Sequence, residues 1–329
     1  MDIKKLGSQG LSASQLGIGC MGMSDFYGEK NDVESLKTLH HAYEQGVTFW
    51  DTADMYGPYI NEELVAKALK GIRKHITVAT KFGILRDPAN SALRGFSGKP
   101  AYVKSSCEAS LKRLNIEMID LYYLHRVDPD TPIEETVGAM GQLVQQGKVR
   151  GIGLSEVSDA TLQKAHAIFP ISAVQSEYSL FTRDPEADIL KTCKKLGIAF
   201  VPYSPLGRGF LTGQIKNFED FGPTDYRRFS PRFQGENFNK NLQLVLKIEE
   251  MAKEKACTAA QLALAWVLNQ GDHIFPIPGT KKIKFLDENL GALKIHFSTE
   301  ELTALDTIFS ADAVKGLRYP EQMMVSVNR

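Results

Sequence analysis

Eight short runs of apolar residues recur along this chain, and stretches with apolar residues at helical spacing lie between them. Continuous apolar runs are typical of parallel strands that helices cover, because both faces of such a strand are buried. Several helical stretches stop at a glycine just before the next run, where a residue without a Cβ ends a helix at no steric cost. Eight strand–helix units predict a (β/α)8 barrel, or TIM barrel. The predicted strands span 17–20, 47–51, 76–81, 120–125, 149–155, 173–177, 199–204 and 274–278.

Two stretches depart from this alternation. Residues 3–14 contain Gly7 and Gly10 and predict a small N-terminal hairpin ahead of the first strand. Residues 214–238, after the seventh strand, are polar and aromatic with glycine and proline, and a long loop in such a place is typical of an active-site cover. No change in composition marks a second domain, so we expect residues 1–329 to form a single barrel domain.

The overall composition excludes several classes of protein. Lysine plus arginine and aspartate plus glutamate balance at 39 each, so no net charge attracts nucleic acid or an anionic membrane. No apolar run reaches the ~18 residues of a membrane span, and the N-terminus lacks the apolar core of a secretion signal. The four cysteines have no paired spacing, which predicts reduced thiols, no metal site and a cytoplasmic protein.

Three of the predicted strands end in an ionisable residue. Asp51 ends the second strand, Lys81 the third and His125 the fourth, while Tyr56 follows in the loop after the second. A charge at the end of a buried strand costs several kcal/mol unless it is paired, which disfavours a purely structural origin for all three. In a parallel barrel all strands open their carboxyl ends on one face, where barrel enzymes have their reaction centre. The four residues therefore predict an active site.

The chemistry of these four residues indicates proton transfer at an oxygen atom. A phenol has an ordinary pKa of about 10, and a nearby ammonium lowers that pKa by stabilising the phenolate. Lys81 is expected to act on Tyr56 in this way, with Asp51 holding Lys81 and His125 hydrogen-bonding the same reacting oxygen. Such a set suits protonation of a carbonyl oxygen as hydride arrives, or the reverse reaction.

A glycine pattern in the first strand, Gly17-Ile-Gly-Cys-Met-Gly22, matches the dinucleotide fingerprint G-x-G-x-x-G. That fingerprint requires a helix that opens directly on the glycines, whereas the first helix here is predicted to begin only near Asn31. We therefore interpret the glycines as a strand end that lets a ligand approach closely, and not as a Rossmann fold.

Several spaced motifs run nearly from end to end of the chain. They are Asp51-Thr-Ala-Asp-Met-Tyr-Gly57, the lysine after Val78-Ala-Thr80, Tyr123-Leu-His-Arg-Val-Asp128, Gly151-Ile-Gly-Leu-Ser-Glu156, Tyr203-Ser-Pro-Leu-Gly-Arg-Gly209 and Pro276-Ile-Pro-Gly-Thr-Lys-Lys282. Together these motifs resemble the aldo-keto reductase superfamily. The resemblance implies an NADPH-dependent (β/α)8 reductase that converts an aldehyde or ketone to the alcohol, with Tyr56 as general acid and His125, Lys81 and Asp51 in support.

The same resemblance implies contacts with the cofactor. Ser155 and Gln175 match residues that bind the nicotinamide carboxamide, a role for polar side chains because an amide needs donors and acceptors to fix its orientation. Tyr203 matches the aromatic residue that stacks on the nicotinamide. Many relatives have asparagine where this chain has Glu156, so only Ser155 is carried over there. Further implied contacts are Met21 and Gly22 at the first strand end and Ser204, Leu206 and Gly209 on the pyrophosphate side.

Three lysines lie within a four-residue span that follows a glycine turn, in Gly279-Thr-Lys-Lys-Ile-Lys284. Such a cluster suits the 2′-phosphate of NADPH, whose charge pairs poorly with neutral groups. Some relatives carry arginine or glutamine at the position of Phe285, which leaves the strictness of the NADPH preference open. The cofactor contacts predicted in this part of the chain are Gly279, Lys281, Lys284, Glu288 and Asn289.

Residues expected to frame the substrate pocket are Tyr27, Phe82 and Arg126, together with the loops after the first, third and seventh strands. The two aromatic rings suit an apolar or aromatic aldehyde or ketone without selecting one. Arg126 either accepts an acidic substituent or pairs with Asp128, and we favour the pair. The sequence leaves the physiological substrate and the oligomeric state open.

Two other functions remain open from the sequence. Residues 126–136 resemble potassium-channel β subunits of the same superfamily, which raises a cofactor-sensing regulatory subunit as an alternative. Those subunits generally carry asparagine in place of His125, which favours a working reductase. A Schiff-base aldolase also has a lysine at a barrel strand end. Asp51 beside Lys81 disfavours an aldolase, because a carboxylate keeps the amine protonated and non-nucleophilic.

Overall fold

The centre of the molecule is a ring of parallel strands; the structure, a computed structural model, describes residues 1–87, 89–223, 225–310, 312–324 and 326–327. The strands are β1 (Ile3–Leu6), β2 (Leu11–Ser14), β3 (Ile18–Gly19), β4 (Phe49–Asp51), β5 (Thr77–Phe82), β6 (Ile84–Asp87), β7 (Asn90–Phe96), β8 (Ile119–Leu124), β9 (Val149–Ser155), β10 (Ala173–Glu177) and β11 (Ala199–Tyr203). Neighbours in the ring follow the order β3, β4, β5, β8, β9, β10, β11. These seven strands lie at the first seven predicted positions and confirm the barrel.

The predicted eighth strand closes the ring as an extended segment with irregular pairing. Gly17 donates its backbone N–H to the carbonyl of Pro276 at 2.9 Å, and Ile277 donates to a carbonyl of β11 at 3.0 Å. The segment therefore hydrogen-bonds to both neighbours. Pro276 and Pro278 carry no N–H, so every second residue cannot donate to β3 and the ladder on that side stays incomplete.

Helices separate the ring strands and cover the ring from outside. Gly197 ends one of them in the left-handed conformation, with φ 67° and ψ 32°, as its position in the sequence predicts. Among the described helices, none is long and apolar enough to cross a membrane. The helices are α1 (Asp32–Glu44), α2 (Ile60–Leu69), α3 (Pro100–Leu114), α4 (Ile133–Gln145), α5 (Asp159–Ile168), α6 (Ile189–Leu196), α7 (Gly235–Glu254), α8 (Ala259–Leu268), α9 (Ile283–Gly291), α10 (Thr299–Ile308) and α11 (Glu321–Met324).

Two hairpins and one long loop complete the barrel. The antiparallel pair β1–β2 confirms the predicted N-terminal hairpin, and Leu6 and Leu11 pack into the apolar interior of the ring. A second hairpin, β6–β7, follows β5 and was not predicted. The long loop after β11 is present as predicted, with short 3-10 turns, and α7 begins at Gly235, slightly earlier than expected.

Candidate active site

Three ionisable side chains enter the barrel because side chains alternate along a strand. In β4, Phe49 packs in the barrel interior, so Asp51, two residues later, lies on the same inner face. In β5, Ala79 packs in the barrel interior too, and Lys81, two residues later, lies on the same inner face. His125 follows β8 directly and continues its inward set. Alternation and parallel pairing thus bring the three side chains to one end of the barrel.

Lys81 is the centre of this group and is fully buried. Its ammonium donates a short hydrogen bond to Asp51 Oδ1, a second to the Thr52 carbonyl at 2.8 Å and a third to the Tyr56 hydroxyl at 3.3 Å. Gln175 Nε2 donates to the other carboxylate oxygen of Asp51 at 2.9 Å. All three ammonium protons have acceptors, so Lys81 holds Asp51 and Tyr56 in a fixed relation.

The charges of this group follow from its burial and its partners. Burial on its own lowers the pKa of Lys81, but the carboxylate of Asp51 outweighs burial and raises that pKa above its ordinary value. Burial raises the pKa of Tyr56, and the charge of Lys81 opposes this rise only in part. Lys81 therefore acts on Tyr56 in the expected direction, but its effect is smaller than that of burial, and the pKa of Tyr56 lies above its ordinary value. Lys81 is a cation, and Tyr56 is a protonated phenol at neutral pH.

His125 adds an uncharged donor beside the phenol. Its ring meets the Tyr56 ring edge to face, with centroids 5.9 Å apart at 84°. Burial and the positive charges of Arg126 and Lys81 lower the pKa of His125 well below its ordinary value, so the imidazole is neutral. Within the described residues, His125 Nδ1 has no hydrogen-bond partner. A neutral imidazole can donate a hydrogen bond to an oxygen without transferring its proton.

A cavity of about 910 Å³ opens on these residues and reaches most of the predicted positions. Ser155 lies in its wall at the end of β9 and Tyr203 at the end of β11, whereas Gln175 lies in the middle of β10 and not at its end as expected. The predicted residues that line the cavity are Met21, Gly22, Tyr27, Asp51, Tyr56, His125, Arg126, Ser155, Gln175, Tyr203, Ser204, Leu206, Gly209, Gly279, Lys281, Glu288 and Asn289.

Phe82 does not frame the cavity, so the sequence-based expectation for this residue is wrong. Its side chain is fully buried and stacks on Tyr122, with ring centroids 4.7 Å apart. Strand β5 continues through Phe82, and alternation turns this side chain outward because Lys81 points inward. Phe82 therefore packs between the ring and the helices.

Arg126 does not pair with Asp128, contrary to the favoured expectation. Asp128 accepts the backbone N–H of Gly98 at 2.8 Å and further donors of its own loop. Arg126 Nη1 donates to the carbonyl of His125 at 2.7 Å and to Ser155 Oγ at 3.2 Å. The guanidinium is directed into the cavity, and Asp128 holds a loop on the other side.

The predicted phosphate lysines differ in their surroundings. Lys281 lines the cavity and donates to the carbonyl of Tyr27 at 2.8 Å and, in a short contact, to that of Glu29. It thereby links the segment after the barrel closure to the loop after β3. Lys284 is not among the described residues that line the cavity. Its ammonium lies 5.9 Å from the centre of the Phe285 ring.

The segment 204–209 carries several residues with positive φ. Ser204 has φ 49°, and Arg208 has φ 58° between Gly207 at 56° and Gly209 at 88°. Left-handed backbone costs a residue with a Cβ energy that a glycine avoids. Strained backbone of this kind is typical of ligand-binding segments, where it directs N–H groups at the ligand.

The loop over residues 214–238 covers the cavity, as its length and composition predict. The ring of Tyr226 meets Phe26 edge to face with centroids 6.1 Å apart, and the Arg227 guanidinium lies 5.3 Å from the centre of the Tyr27 ring. These contacts cross from the loop after β11 to the loop after β3. None of the three residues Phe26, Tyr226 and Arg227 was singled out from the sequence, although two belong to the predicted cover.

The C-terminal segment adds wall residues that sequence reasoning missed. Tyr319 lines the cavity, and its hydroxyl lies 2.9 Å from that of Tyr203. Arg318 forms a two-pronged ion pair with Glu156, with nitrogen–oxygen distances of 3.0 and 2.6 Å. Glu156, which stands where many relatives have asparagine, is thus used to hold the C-terminal segment. No local pattern around Tyr319 indicates this role.

A buried carboxylate next to the cavity joins two arginines. Glu177 accepts from Arg208 at 2.9 Å, from Arg232 at 3.2 Å and from Thr182 at 2.8 Å. Arg208 also lies over the ring of Tyr319 at 4.6 Å. The cluster connects the end of β10 to the segment after β11 and to the cover loop.

Replacing Glu177 with glutamine is expected to destabilise the fold and to make its stability less dependent on pH in the acidic range. Burial on its own raises the pKa of Glu177, but the charges of Arg208 and Arg232 lower it from 4.5 to about 2. A carboxyl with a lowered folded pKa contributes stability above its unfolded pKa and loses this stability as the pH falls. The wild type should lose roughly 3 kcal/mol from this group between about pH 5 and pH 2.

Urea denaturation at a series of pH values measures this effect. At neutral pH the Glu177→Gln variant should be less stable by about 3–5 kcal/mol, because two buried guanidinium groups lose their partner. Its stability should then fall less steeply on acidification than that of the wild type. Parallel curves for the two proteins would contradict the assigned role of Glu177.

Known proteins resemble this chain in both sequence and structure. A profile with the description "Aldo/keto reductase family" matches residues 15–309. The chain is 52% identical to a "Probable aldo-keto reductase 1" of Glycine max, over 88% of this chain and 84% of that protein. A glycerol dehydrogenase of Gluconobacter oxydans has a similar structure, with a TM-score of 0.86 at 29% identity, covering 96% of this chain and 97% of that one. An aldo-keto reductase of Bacillus halodurans, in a holo form, gives 0.77 at 26% identity, covering 98% and 99%.

Proposed function

This chain belongs to the aldo/keto reductase family, whose members are oxidoreductases that act on small carbonyl compounds with a nicotinamide cofactor, and from this premise we propose the finer assignment. The protein reduces an aldehyde or ketone with NADPH, and Tyr56 is the general acid. His125, Lys81 and Asp51 assist it. The single observation that carries the proposal is the buried ammonium of Lys81, which hydrogen-bonds to both Asp51 and Tyr56 beside the His125 ring.

Several features support a nicotinamide dinucleotide as the occupant of the cavity. The cavity volume of about 910 Å³ suits a large cofactor together with a small substrate. Ser155 and Gln175 offer polar atoms for a carboxamide, and Tyr203 offers a ring for the nicotinamide. The left-handed segment 204–209 offers backbone N–H groups for a pyrophosphate. Lys281 supplies a cation for a 2′-phosphate.

The side chains divide the chemistry between them. NADPH, when bound, would supply the hydride for the carbonyl carbon. Tyr56 donates its proton to the carbonyl oxygen, and Lys81 stabilises the phenolate that remains. Asp51 keeps Lys81 charged despite its burial. His125 donates a hydrogen bond that orients the same oxygen, and its low pKa keeps it from replacing Tyr56 as the acid.

A screen of aldehydes and ketones against NADPH tests the proposal most directly. Loss of NADPH absorbance with at least some aldehydes is expected for the wild type, and the alcohol should accumulate in equal amount. Oxidation of NADPH without alcohol formation, or no oxidation with any carbonyl compound, would contradict the proposal. The same assay separates a reductase from a regulatory subunit that senses its cofactor.

The two alternatives receive no support from the site. A Schiff-base aldolase needs an uncharged lysine, whereas the partners of Lys81 raise its pKa. The likeness to channel β subunits lies in residues 126–136, and there Asp128 serves to hold its own loop and Gly98. A structural role of that kind does not indicate a regulatory function.

We also take residues 1–329 to be one domain of a cytoplasmic protein. All four cysteines are free, and Cys20, Cys107 and Cys193 are buried. Unpaired thiols are typical of reducing compartments. Burial raises the pKa of each of these three thiols, so they are unreactive packing residues.

Replacing the lysines near the proposed 2′-phosphate should raise the KM for NADPH and leave the KM for NADH unchanged. The Lys281→Ala variant is expected to raise the KM for NADPH by about 10-fold or more, the loss that follows from one charge-assisted hydrogen bond. Lys284→Ala should add a smaller effect, because Lys284 does not line the cavity. Initial rates with each cofactor at saturating carbonyl substrate measure both.

NADH is the internal control for this experiment. Lys281 also ties the loop after β3 through two carbonyl groups, so a purely structural role would raise the KM for both cofactors alike. A selective effect on NADPH supports a contact with the 2′-phosphate. Equal effects on NADPH and NADH would remove that role.

A further inference from the structure

Arg126 is a buried cation in the cavity wall that forms no ion pair with any carboxylate of the described residues. Its side chain is only 8% exposed. Its two hydrogen bonds both start from Nη1 and end on neutral acceptors, the His125 carbonyl and Ser155 Oγ. A guanidinium carries five N–H donors, so most of its hydrogen-bonding capacity is unused by the protein. Burying a charge without a counter-charge costs several kcal/mol, which calls for a partner outside the chain.

The nearest acidic groups are already engaged. Asp128 binds its own loop, as described above. Glu156 acts on Arg126 through its charge, but both of its oxygens are bound by Arg318, whose own positive charge opposes this effect. Burial on its own lowers the pKa of Arg126, but Tyr203, Tyr319 and Glu156 raise it above its ordinary value, so the guanidinium is charged. Neither Asp128 nor Glu156 accepts a hydrogen bond from it.

The free donors of Arg126 are reached from the cavity. Arg126 lines the cavity, and none of its nitrogen atoms is among the buried polar atoms that lack a partner in the described part of the chain. Nε and Nη2 have no hydrogen-bond partner among the residues that the structure describes, so they are open to an occupant. They lie close to the reacting groups, because Arg126 donates to the carbonyl of His125 at 2.7 Å and lines the same cavity as His125 and Tyr56.

The nicotinamide end of the cofactor cannot neutralise this charge. The carboxamide that Ser155 and Gln175 are proposed to bind is itself uncharged. The anionic pyrophosphate and 2′-phosphate are assigned to segment 204–209 and to Lys281. An anion next to Arg126 must therefore belong to the carbonyl substrate.

We propose that Arg126 binds a carboxylate of the carbonyl substrate, so that the enzyme prefers oxo acids and carboxylated aldehydes to neutral compounds of the same shape. The planar fork of a guanidinium matches a carboxylate with two parallel hydrogen bonds. Hydrogen bonds of this kind in a buried pocket orient the substrate and raise its affinity. This inference rests on the proposed function, since it names the substrate class for the same site.

Matched pairs of acid and methyl ester test the inference. The pairs are para-carboxybenzaldehyde, meta-carboxybenzaldehyde and phenylglyoxylate, each against its own methyl ester, with NADPH in the intact enzyme. In the wild type, kcat/KM should favour at least one acid over its ester. In Arg126→Gln the ratio of acid to ester should fall by roughly 10- to 100-fold, as expected for a lost charge-assisted pair. Most of the change should be in the KM for the acid.

Arg126→Lys is the matched control because it keeps the charge without the fork. It should recover part of the preference for the acid. A merely structural Arg126 would lower the rates with acid and ester alike, and an unchanged ratio in Arg126→Gln would overturn the inference. If the wild type reduced all three esters as well as their acids, the inference would be overturned too, while the proposed function would stand. If the wild type reduced none of these acids and esters, the result would contradict both the proposed function and the inference.

Discussion

Replacing Tyr56 with phenylalanine will lower kcat by a factor of ~100 or more while the affinity for NADPH stays near that of the wild type. The substitution removes only the hydroxyl that Lys81 contacts at 3.3 Å. The ring remains and keeps its edge-to-face packing on His125. The reaction then lacks its proton donor. Neutral His125 is a poor acid, and the ammonium of Lys81 is bound to Asp51. Single-turnover oxidation of NADPH and a fluorescence titration with NADPH measure the two quantities.

Tyr59→Phe is a matched control for this prediction. Tyr59 follows in the same loop, is 36% exposed, and donates its hydroxyl to the Arg86 carbonyl at 3.1 Å. It does not line the cavity among the described residues. Its variant should reduce aldehydes at the rate of the wild type. Undiminished turnover in Tyr56→Phe would contradict the assignment of the acid.

The fold could be predicted closely wherever it depends on short-range pattern. Seven ring strands lie at predicted apolar runs, several of them just after a helix that stops at a glycine, and the bounds of β9 and β10 coincide with the prediction. The eighth segment differs because two prolines interrupt its ladder, although the chain path is as expected. The hairpin β6–β7 escaped prediction because β6 is half-buried along its length and carries no apolar run.

From the sequence, the candidate site could be predicted only where the end of a strand determines the direction of a side chain. Asp51 and Lys81 were found because each ends a predicted apolar strand, and side-chain alternation then directs both into the barrel. Phe82 was misassigned because the sequence does not show that β5 extends one residue further. The pKa of Tyr56 was misjudged for another reason: burial opposes Lys81, and burial depends on the complete fold.

Long-range contacts explain the remaining omissions. Tyr319 lines the cavity, and Arg318 holds the same segment in place. Both lie more than a hundred residues after their partners Tyr203 and Glu156 in sequence. No periodicity links such positions, because the contact depends on how the chain returns over the barrel. Arg126 was likewise expected to pair with its neighbour Asp128, but the chain bends at Arg126 and the two side chains bind different partners.

Replacing Lys81 with methionine should cost both stability and turnover. Methionine fills a similar volume but leaves the carboxylate of Asp51, only 2% exposed, with Gln175 as its remaining side-chain partner. An unpaired buried charge of this kind destabilises a protein by about 3–5 kcal/mol. Turnover should fall by a factor of ~100 or more, because Tyr56 loses the cation that stabilises its phenolate. Urea denaturation and single-turnover kinetics measure the two effects.

The double variant Asp51→Asn with Lys81→Met separates the structural role of the pair from its role in catalysis. Asparagine keeps an oxygen for Gln175 and removes the buried charge, so most of the lost stability should return. Turnover should stay as low as in Lys81→Met, because no cation faces Tyr56 in either protein. Recovery of turnover together with stability would mean that Lys81 only neutralises Asp51. If the double variant is stable but turnover stays low, then Lys81 stabilises the phenolate. A folded but uncharged pair cannot provide that stabilisation.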